Sequence, residues 1–162
     1  MTKVGFGGSC HWCMEAVFQA VKGVVKVEQG WIASEGIAAT FSEGVLVYFD
    51  ATIINLAALI EIHLHTHSCT ANHPMRQKYR SAIYIFSAEQ QELAGETLER
   101  LQSDFEQKII TSILPFCAFK ENQETYLNYY KKNPEKPFCQ RYIEPKLRKL
   151  SAEYRDKVID QS

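Results

Sequence analysis

The chain is organised around the stretch Val4-Gly5-Phe6-Gly7-Gly8-Ser9-Cys10-His11-Trp12-Cys13-Met14-Glu15-Ala16-Val17-Phe18. Its apolar start predicts a strand, the paired glycines allow a tight turn, and an amphipathic helix begins near Cys10. The first turn of a helix offers unpaired N–H groups and the positive end of the helix dipole, so a thiol there is stabilised as the nucleophilic thiolate. We therefore expect the pKa of Cys10 to lie below that of a free thiol. A lone cysteine is more often a small buried apolar residue, but the turn, the helix start and a second thiol at Cys13 together favour reactivity.

Length and composition predict one ordinary globular domain. The chain has 162 residues, of which 46% are hydrophobic and 23% charged, enough to bury a substantial core. A net charge of −1 gives no electrostatic reason to expect nucleic acid or a membrane as partner. The first residues lead into a predicted strand rather than a signal peptide. Five cysteines, an odd number, favour thiol chemistry or burial over a disulfide framework, and we expect a cytoplasmic location.

Periodicity, caps and prolines place the remaining elements. Asn55 and Ser87 are good N-cap residues, and the near-continuous apolar run at 44–50 is typical of a central strand. Strands interleaved with helices favour an α+β architecture with helices packed against one mixed sheet. The predicted strands are 24–32, 44–50, 81–86 and 109–114, and the predicted helices are 56–67, 87–107, 121–132 and 147–158.

Two blocks of sequence resemble the methionine sulfoxide reductase A family. Ser9-Cys10-His11-Trp12 is similar to the family's Gly-Cys-Phe-Trp turn, and Tyr79-Arg80-Ser81-Ala82-Ile83-Tyr84 to its second specific block. Weaker matches extend the resemblance from residue 4 to about residue 139. The resemblance implies a ferredoxin-like α+β two-layer sandwich. We expect a single domain over 1–162, with a core at about 3–134 and a C-terminal tail at 135–162.

The resemblance also implies a reaction. The family reduces methionine-(S)-sulfoxide, in proteins or free, to methionine. An enzyme thiol becomes a sulfenic acid, a second thiol resolves it to a disulfide, and thioredoxin recycles the enzyme. No cofactor is expected. Cys10 matches the nucleophile, and Trp12 with His11 matches the pair of residues that lines the pocket for the substrate's methyl group.

Two further residues gain their roles chiefly from the resemblance. Glu43 matches the family's proton donor, and a half-buried carboxyl group suits that task because burial disfavours its charged form. From its sequence context alone, Glu43 reads as a solvated charge at a strand start. Tyr79 matches the tyrosine that binds the sulfoxide oxygen, whereas its context alone indicates a packing residue.

The chain departs from the family pattern at three places. His11, a titratable ring, stands where the family has phenylalanine. The segment that carries a second oxygen-binding tyrosine in the family is deleted between Gly30 and Glu43. The family's Gly-Asn-Asp turn is shortened to Asn72-His73-Pro74-Met75-Arg76 and has no aspartate. These departures bear on substrate range and rate.

Two thiols are candidates for resolving the sulfenic acid. Cys13 forms a Cys-x-x-Cys pair with Cys10 on the predicted helix. Cys139 matches the family's C-terminal resolving cysteine, and we expect it on a mobile tail that reaches Cys10 without unwinding the helix. Because of that mobility, we favour Cys139 over Cys13 as the resolving thiol. Cys69 and Cys117 are interpreted as structural.

Two other functions fit parts of the sequence. Cys10-His11-Trp12-Cys13 after a strand also suggests a thioredoxin-like dithiol oxidoreductase. Alternatively, Cys10 and Cys13 could form a zinc-binding module with the cluster His63, His65, His67 and His73, because His63 and His67 have the i, i+4 spacing of metal ligands.

Overall fold

The molecule is built on one mixed sheet. This computed structural model describes residues 2–159 of the chain. The six strands have the order β5-β4-β1-β3-β2-β6, and all pairings are antiparallel except β4 with β5. The strands are β1 (Thr2–Gly7), β2 (Val24–Ala33), β3 (Ser42–Phe49), β4 (Ala82–Ile85), β5 (Ser112–Pro115) and β6 (Ala118–Glu121). The helices are α1 (His11–Gln19), α2 (Leu56–His65), α3 (Ala88–Leu101), α4 (Tyr129–Lys132) and α5 (Glu144–Glu153).

The main core lies between the sheet and helices α1, α2, α3 and α5. Phe6 of β1, Phe18 of α1 and Leu59 of α2 are fully buried in it. A smaller cluster around Ile32 and Tyr84 lies elsewhere on the sheet and is flanked by half-buried aromatic rings. The predicted α+β two-layer sandwich with a mixed sheet is confirmed. Within residues 2–159, no helix combines the length and the apolar character that a membrane crossing requires.

The register of the central strands brings the predicted site residues to one end of the sheet. β1 runs antiparallel to β3 with Gly7 opposite Gly44, so β1 ends where β3 begins. β2 places Trp31 opposite Glu43. The chain leaves β1 at this end and turns directly into α1 beside the start of β3.

The turn between β1 and α1 requires its two glycines. A Cβ on Gly7 would lie 2.6 Å from the carbonyl oxygen of Arg80. Gly8 has φ +141°, and a Cβ there would lie 2.5 Å from the His67 ring. Since side chains are excluded at both positions, the turn approaches its neighbours more closely than other residues would allow.

Several predicted elements differ from the structure in the second half of the chain. The predicted helix 121–132 is wrong, since residues 118–121 form strand β6 and only Tyr129–Lys132 is α-helical. Helix α3 ends at Leu101 rather than at residue 107. The predicted last helix starts earlier, because a π-helical segment, Cys139–Ile143, leads directly into α5. A four-residue strand is too short to show a period, so β6 forms through pairing with β2 rather than through a local signal.

Candidate active site

Cys10 occupies the N-cap of α1, as the turn predicts. Its carbonyl oxygen accepts the N–H groups of Cys13 and Met14, and the N–H of Trp12 is directed at its sulfur. The Cys10 side chain is half-buried and Cys13 is buried. Cys10 packs against the buried cluster that contains Cys13, and each thiol shifts the pKa of the other.

Cys10 and Cys13 titrate as a pair. The neighbouring thiol of Cys13 and burial raise the pKa of Cys10, and they outweigh the lowering by the N–H of Trp12. The neighbouring thiol of Cys10 lowers the pKa of Cys13. The expectation that the helix terminus lowers the pKa of Cys10 is therefore wrong. Because the lower pKa belongs to Cys13, Cys10 becomes a thiolate by passing its proton to that neighbour.

Lys146 supplies a positive charge to this pair. It lies on α5 and its ammonium group donates a hydrogen bond to the carbonyl oxygen of Thr66. Burial lowers the pKa of Lys146, while the sulfurs of Cys13 and Cys10 oppose that change. In return, Lys146 lowers the pKa of Cys13. The sequence showed nothing of this contact because it joins residues more than a hundred positions apart.

Lys146→Met is expected to raise the pH at which the Cys10–Cys13 pair becomes reactive, because the thiolate loses its nearby cation. The rate of alkylation by iodoacetamide, measured against pH, gives that value. Lys146→Arg should retain most of the wild-type profile, and Lys149→Met, an exposed change on the same helix, should retain all of it. An unchanged profile in Lys146→Met would show that the ammonium group does not act on the thiols.

Cys139 lies against the same dithiol. With Cys13, Ala16 and Ile143 it forms a buried apolar cluster on which Cys10 packs, and its exposure is 0%. The expectation that Cys139 lies on a mobile tail is wrong. The π-helical segment packs on α1 because Cys139 and Ile143 are apolar side chains one turn apart that share a face. All three thiols therefore meet in one cluster.

Trp12 forms the wall beside Cys10. Its indole ring stacks on Tyr129 with a centroid distance of 3.9 Å and an interplanar angle of 4°, and meets Phe138 edge-on at 5.4 Å. Glu15, buried on α1, accepts the N–H groups of Asn128 and Tyr129 at 2.9 and 3.2 Å. Glu15 thereby places Tyr129 against the indole.

Glu43 is buried at the start of β3, with 5% exposure. Its Oε1 accepts the backbone N–H of His11 at 3.2 Å and lies 3.4 Å from the Nδ1 of the same residue. Its Oε2 lies 3.6 Å from the ammonium group of Lys78. The expectation from sequence context alone, a solvated charge, is wrong; the residue is a buried carboxyl group held next to the helix start.

Tyr79 stands beside Glu43 because the loop that carries it is bonded to β3. The carbonyl oxygen of Lys78 accepts both the Glu43 N–H, at 2.9 Å, and the Ser42 hydroxyl, at 2.9 Å. Arg76 donates hydrogen bonds to the carbonyl oxygens of Gly8 and Tyr79, each at 2.9 Å. The shortened loop therefore ties the tyrosine to the turn before Cys10.

These side chains line an open cleft of about 610 Å³. His11, Trp12, Glu43 and Tyr79 all contribute to it, and Cys10 lies immediately before the cleft-lining residue His11 without lining the cleft itself. Strand β6 and the segment after it close the other side. The lining residues that the sequence did not indicate are Trp31, Lys78, Lys120, Glu121, Asn122, Gln123 and Tyr126. A signal that could have indicated a buried polar contact here is Gln29, a polar residue in a strand rich in β-branched residues.

The histidine cluster does not form a metal site. Among residues 2–159, no group of three or more His, Cys, Asp or Glu side chains is placed to hold a metal ion. His63 Nε2 bonds the carbonyl oxygen of Gly7 at 2.8 Å, and His65 Nε2 bonds Asp104 at 3.0 Å. His67 contacts Ser81, and His73 caps a short helical turn. The zinc-module alternative is not supported by this arrangement.

Comparison with known proteins gives one consistent match. A family model described as peptide methionine sulfoxide reductase matches residues 2–158. The peptide methionine sulfoxide reductase MsrA of Acinetobacter baumannii strain SDF is 33% identical, covering 99% of this chain and 100% of the relative. Yeast Mxr1 in its reduced form shares the fold, with a TM-score of 0.75 and 21% identity over 85% of this chain and 88% of that one.

A second structure of yeast Mxr1, in complex with Trx2, also shares the fold. It has a TM-score of 0.64 and 20% identity over 76% of this chain and 81% of that one. Together with the full-length family match, these likenesses agree with the cysteine-bearing turn and the cleft beside it. The chain belongs to the peptide methionine sulfoxide reductase family.

Proposed function

We propose that this protein reduces methionine-(S)-sulfoxide, in proteins or free, to methionine, with Cys10 as the nucleophile. The observation that carries the proposal is the junction of β1 and α1. There a pair of neighbouring thiols, Cys10 and Cys13, adjoins a cleft that contains a buried carboxyl group, Glu43, and a tyrosine, Tyr79. Sulfoxide reduction needs a soft nucleophile at sulfur and a proton for the oxygen, and these groups supply both.

In the first step, Cys10 passes its thiol proton to the Cys13 thiolate, and the sulfur of Cys10 attacks the substrate sulfur. The carboxyl group of Glu43 donates a proton to the sulfoxide oxygen, and the Tyr79 hydroxyl binds that oxygen. The oxygen passes to Cys10 as a sulfenic acid and methionine leaves as the sulfide. Two electrons move from the enzyme thiolate to the substrate, and the carboxylate of Glu43 is left to be reprotonated from solvent. The Trp12 ring, held flat against Tyr129, provides the apolar wall for the substrate's methyl group.

In the second step, another thiol attacks the Cys10 sulfenic acid. A disulfide forms, and the thiol proton leaves with the sulfenic hydroxyl as water. The sequence favoured Cys139 because a mobile tail was expected, but that residue is buried in a folded segment. Cys13 lies one helical turn from Cys10 and titrates with it as a pair, and we propose it as the first thiol to attack.

The pair of variants Cys13→Ser and Cys139→Ser tests this order. Cys13→Ser is expected to keep one stoichiometric round of reduction and to lose most thioredoxin-linked turnover, because its sulfenic acid is no longer resolved locally. Cys139→Ser should lose less. Peptide mapping after one equivalent of substrate should show a Cys10–Cys13 disulfide. A dominant Cys10–Cys139 disulfide, with normal turnover in Cys13→Ser, would return the role to Cys139.

Thioredoxin is the reductant we propose for the resulting disulfide. Yeast Mxr1, which shares this fold, has been solved in complex with Trx2. The proposed cycle returns the thiols to the reduced form after each turnover, and a reducing compartment such as the cytoplasm supplies that condition. The proposed reaction uses thiols, a carboxyl group and a phenol, and it calls for no cofactor.

A thioredoxin-like oxidoreductase is the less suitable function for this site. A dithiol that only exchanges disulfides would not need a buried carboxyl group and a tyrosine in an adjoining cleft. Turnover of separated S and R sulfoxide epimers, with dithiothreitol as reductant, distinguishes the two. Reduction of the S epimer alone is expected. Disulfide exchange without sulfoxide reduction would overturn the proposal.

A further inference from the structure

A chain of buried amides determines the hydrogen-bonding state of His11. Gln29 is fully buried, and its Nε2 donates to the carbonyl oxygen of Tyr126 at 2.9 Å. Its Oε1 therefore faces Asn122, whose Nδ2 donates to it at 2.7 Å. The Oδ1 of Asn122 accepts the N–H of Gln123 at 2.8 Å. Both amide groups are thus oriented by their partners, without freedom to exchange oxygen for nitrogen.

This orientation assigns the tautomer of His11. The Nδ2 of Asn122, a donor only, lies 3.4 Å from His11 Nε2, which must accept. The proton is therefore on Nδ1, which lies 3.2 Å from the carbonyl oxygen of Gly30 and 3.4 Å from Glu43 Oε1. Burial lowers the pKa of His11, while the charge of Glu43 opposes that change. The ring is held neutral, with one fixed donor directed at the strand edge.

The backbone N–H of His11 occupies one oxygen of Glu43. It donates to Oε1 at 3.2 Å, whereas the ring Nδ1–H donates to the carbonyl oxygen of Gly30 and lies 3.4 Å from the same carboxyl oxygen. The second oxygen, Oε2, lies 3.6 Å from the ammonium group of Lys78. The His11 ring is therefore close enough for a positive charge on it to act directly on the carboxyl group.

We propose that His11 is a positioning residue for Glu43, kept as the neutral Nδ1–H tautomer by the amide chain of Gln29 and Asn122. In this state the ring is fixed on the carbonyl oxygen of Gly30, the backbone N–H orients the carboxyl group, and no ring charge lies beside Glu43. A second proton on Nε2 would place a full positive charge beside Glu43 and favour the carboxylate, which has no proton to give. This inference rests on the proposed function, in which Glu43 is the acid.

Other titratable groups lie near the His11 ring, and their protonation also affects the pH dependence of activity. Lys78 lowers the pKa of His11 further. The remaining groups near the ring are Glu43 on β3, Tyr79 on the loop before β4, Cys10 and Cys13 at the start of α1, Lys120 and Glu121 on β6, and Tyr126 on the segment after β6. Burial and Lys78 both lower the pKa of His11. As the pH decreases, we therefore expect activity to fall only at pH values below the ordinary pKa of histidine.

Asn122→Asp provides the direct test, because a carboxylate facing Nε2 stabilises the charged ring. In sulfoxide reduction with dithiothreitol, the acid limb of kcat/KM should move to higher pH. On the acid side of the shifted limb, kcat/KM should fall by about tenfold for each unit by which the pKa of His11 rises. In the His11→Phe background, Asn122→Asp should lose this effect on the acid limb. An effect of equal size in both backgrounds would show that Asn122 acts on something other than His11.

A measurement on the wild-type protein keeps the inference testable if the variants fold poorly. The ¹⁵N chemical shifts of His11 at neutral pH should show a protonated Nδ1 and an unprotonated Nε2. A protonated Nε2 would overturn the proposal. If wild-type protein does not reduce the S epimer, the proposed function is refuted instead. Failure of the inference about His11 and failure of the proposed function are therefore distinguishable.

Discussion

Cys10→Ser is expected to abolish sulfoxide reduction while leaving the protein folded. A serine hydroxyl is a poor nucleophile at sulfur and cannot form a sulfenic acid, so neither step of the proposed reaction can proceed. The fold should tolerate the change, because the carbonyl oxygen of Cys10, rather than its side chain, accepts the first hydrogen bonds of α1. The measurement is single-turnover reduction of a methionine-(S)-sulfoxide peptide, with circular dichroism to confirm folding.

Cys117→Ser is the matched control for that variant. Cys117 is exposed and bonds only weakly to the carbonyl oxygen of Pro115, so its loss should leave the rate unchanged. Substantial residual activity in a folded Cys10→Ser protein would refute the assignment of the nucleophile. The same alkylation assay used for Lys146→Met should show that the paired titration of Cys10 and Cys13 is lost in Cys10→Ser.

Glu43→Gln is expected to slow the chemical step by about 10²–10⁴-fold, the usual contribution of a positioned proton donor. Glutamine has nearly the same shape, and its carbonyl oxygen can still accept the backbone N–H of His11. Substrate binding and folding should therefore change little, and the loss should appear in the single-turnover rate rather than in KM.

Glu35→Gln is the control for the Glu43 variant, because Glu35 is exposed and begins a short helical turn at some distance along the chain. The Glu35→Gln protein should reduce the substrate at the wild-type rate. A loss smaller than about tenfold in Glu43→Gln, below the range for general acid catalysis, would leave Glu43 as a structural hydrogen-bond acceptor.

The elements predicted correctly from the sequence are those with strong local signals. Asn55 caps α2 by accepting the N–H of Ala58 at 2.8 Å, and Ser87 caps α3 by accepting that of Gln90 at 3.2 Å. The paired glycines and the predicted helix start also located Cys10 correctly at the N-terminus of α1. In each case the interacting groups are within a few residues of one another, so neighbouring residue types carry the information.

The segment from 118 to 143 shows the opposite case. Its polar and aromatic residues have helical spacing in part, yet β6 forms there because an edge of β2 is available for pairing. The π-helical segment packs because α1 presents apolar side chains to Cys139 and Ile143. Tertiary contacts override local preference when a short segment has little preference to begin with.

By itself, the sequence determined the α+β class, the turn that carries Cys10, and, through family resemblance, the candidate roles of Glu43 and Tyr79. Only the tertiary structure decided how those groups are tuned: the dithiol beside Lys146, the burial of Cys139, and the contact from Asn122 to His11. The physical reason is that a pKa, a tautomer and the reach of a thiol depend on burial and on charges a few ångströms away. Those neighbours come from residues far apart in the chain, and only the folded sheet and its helices bring them together.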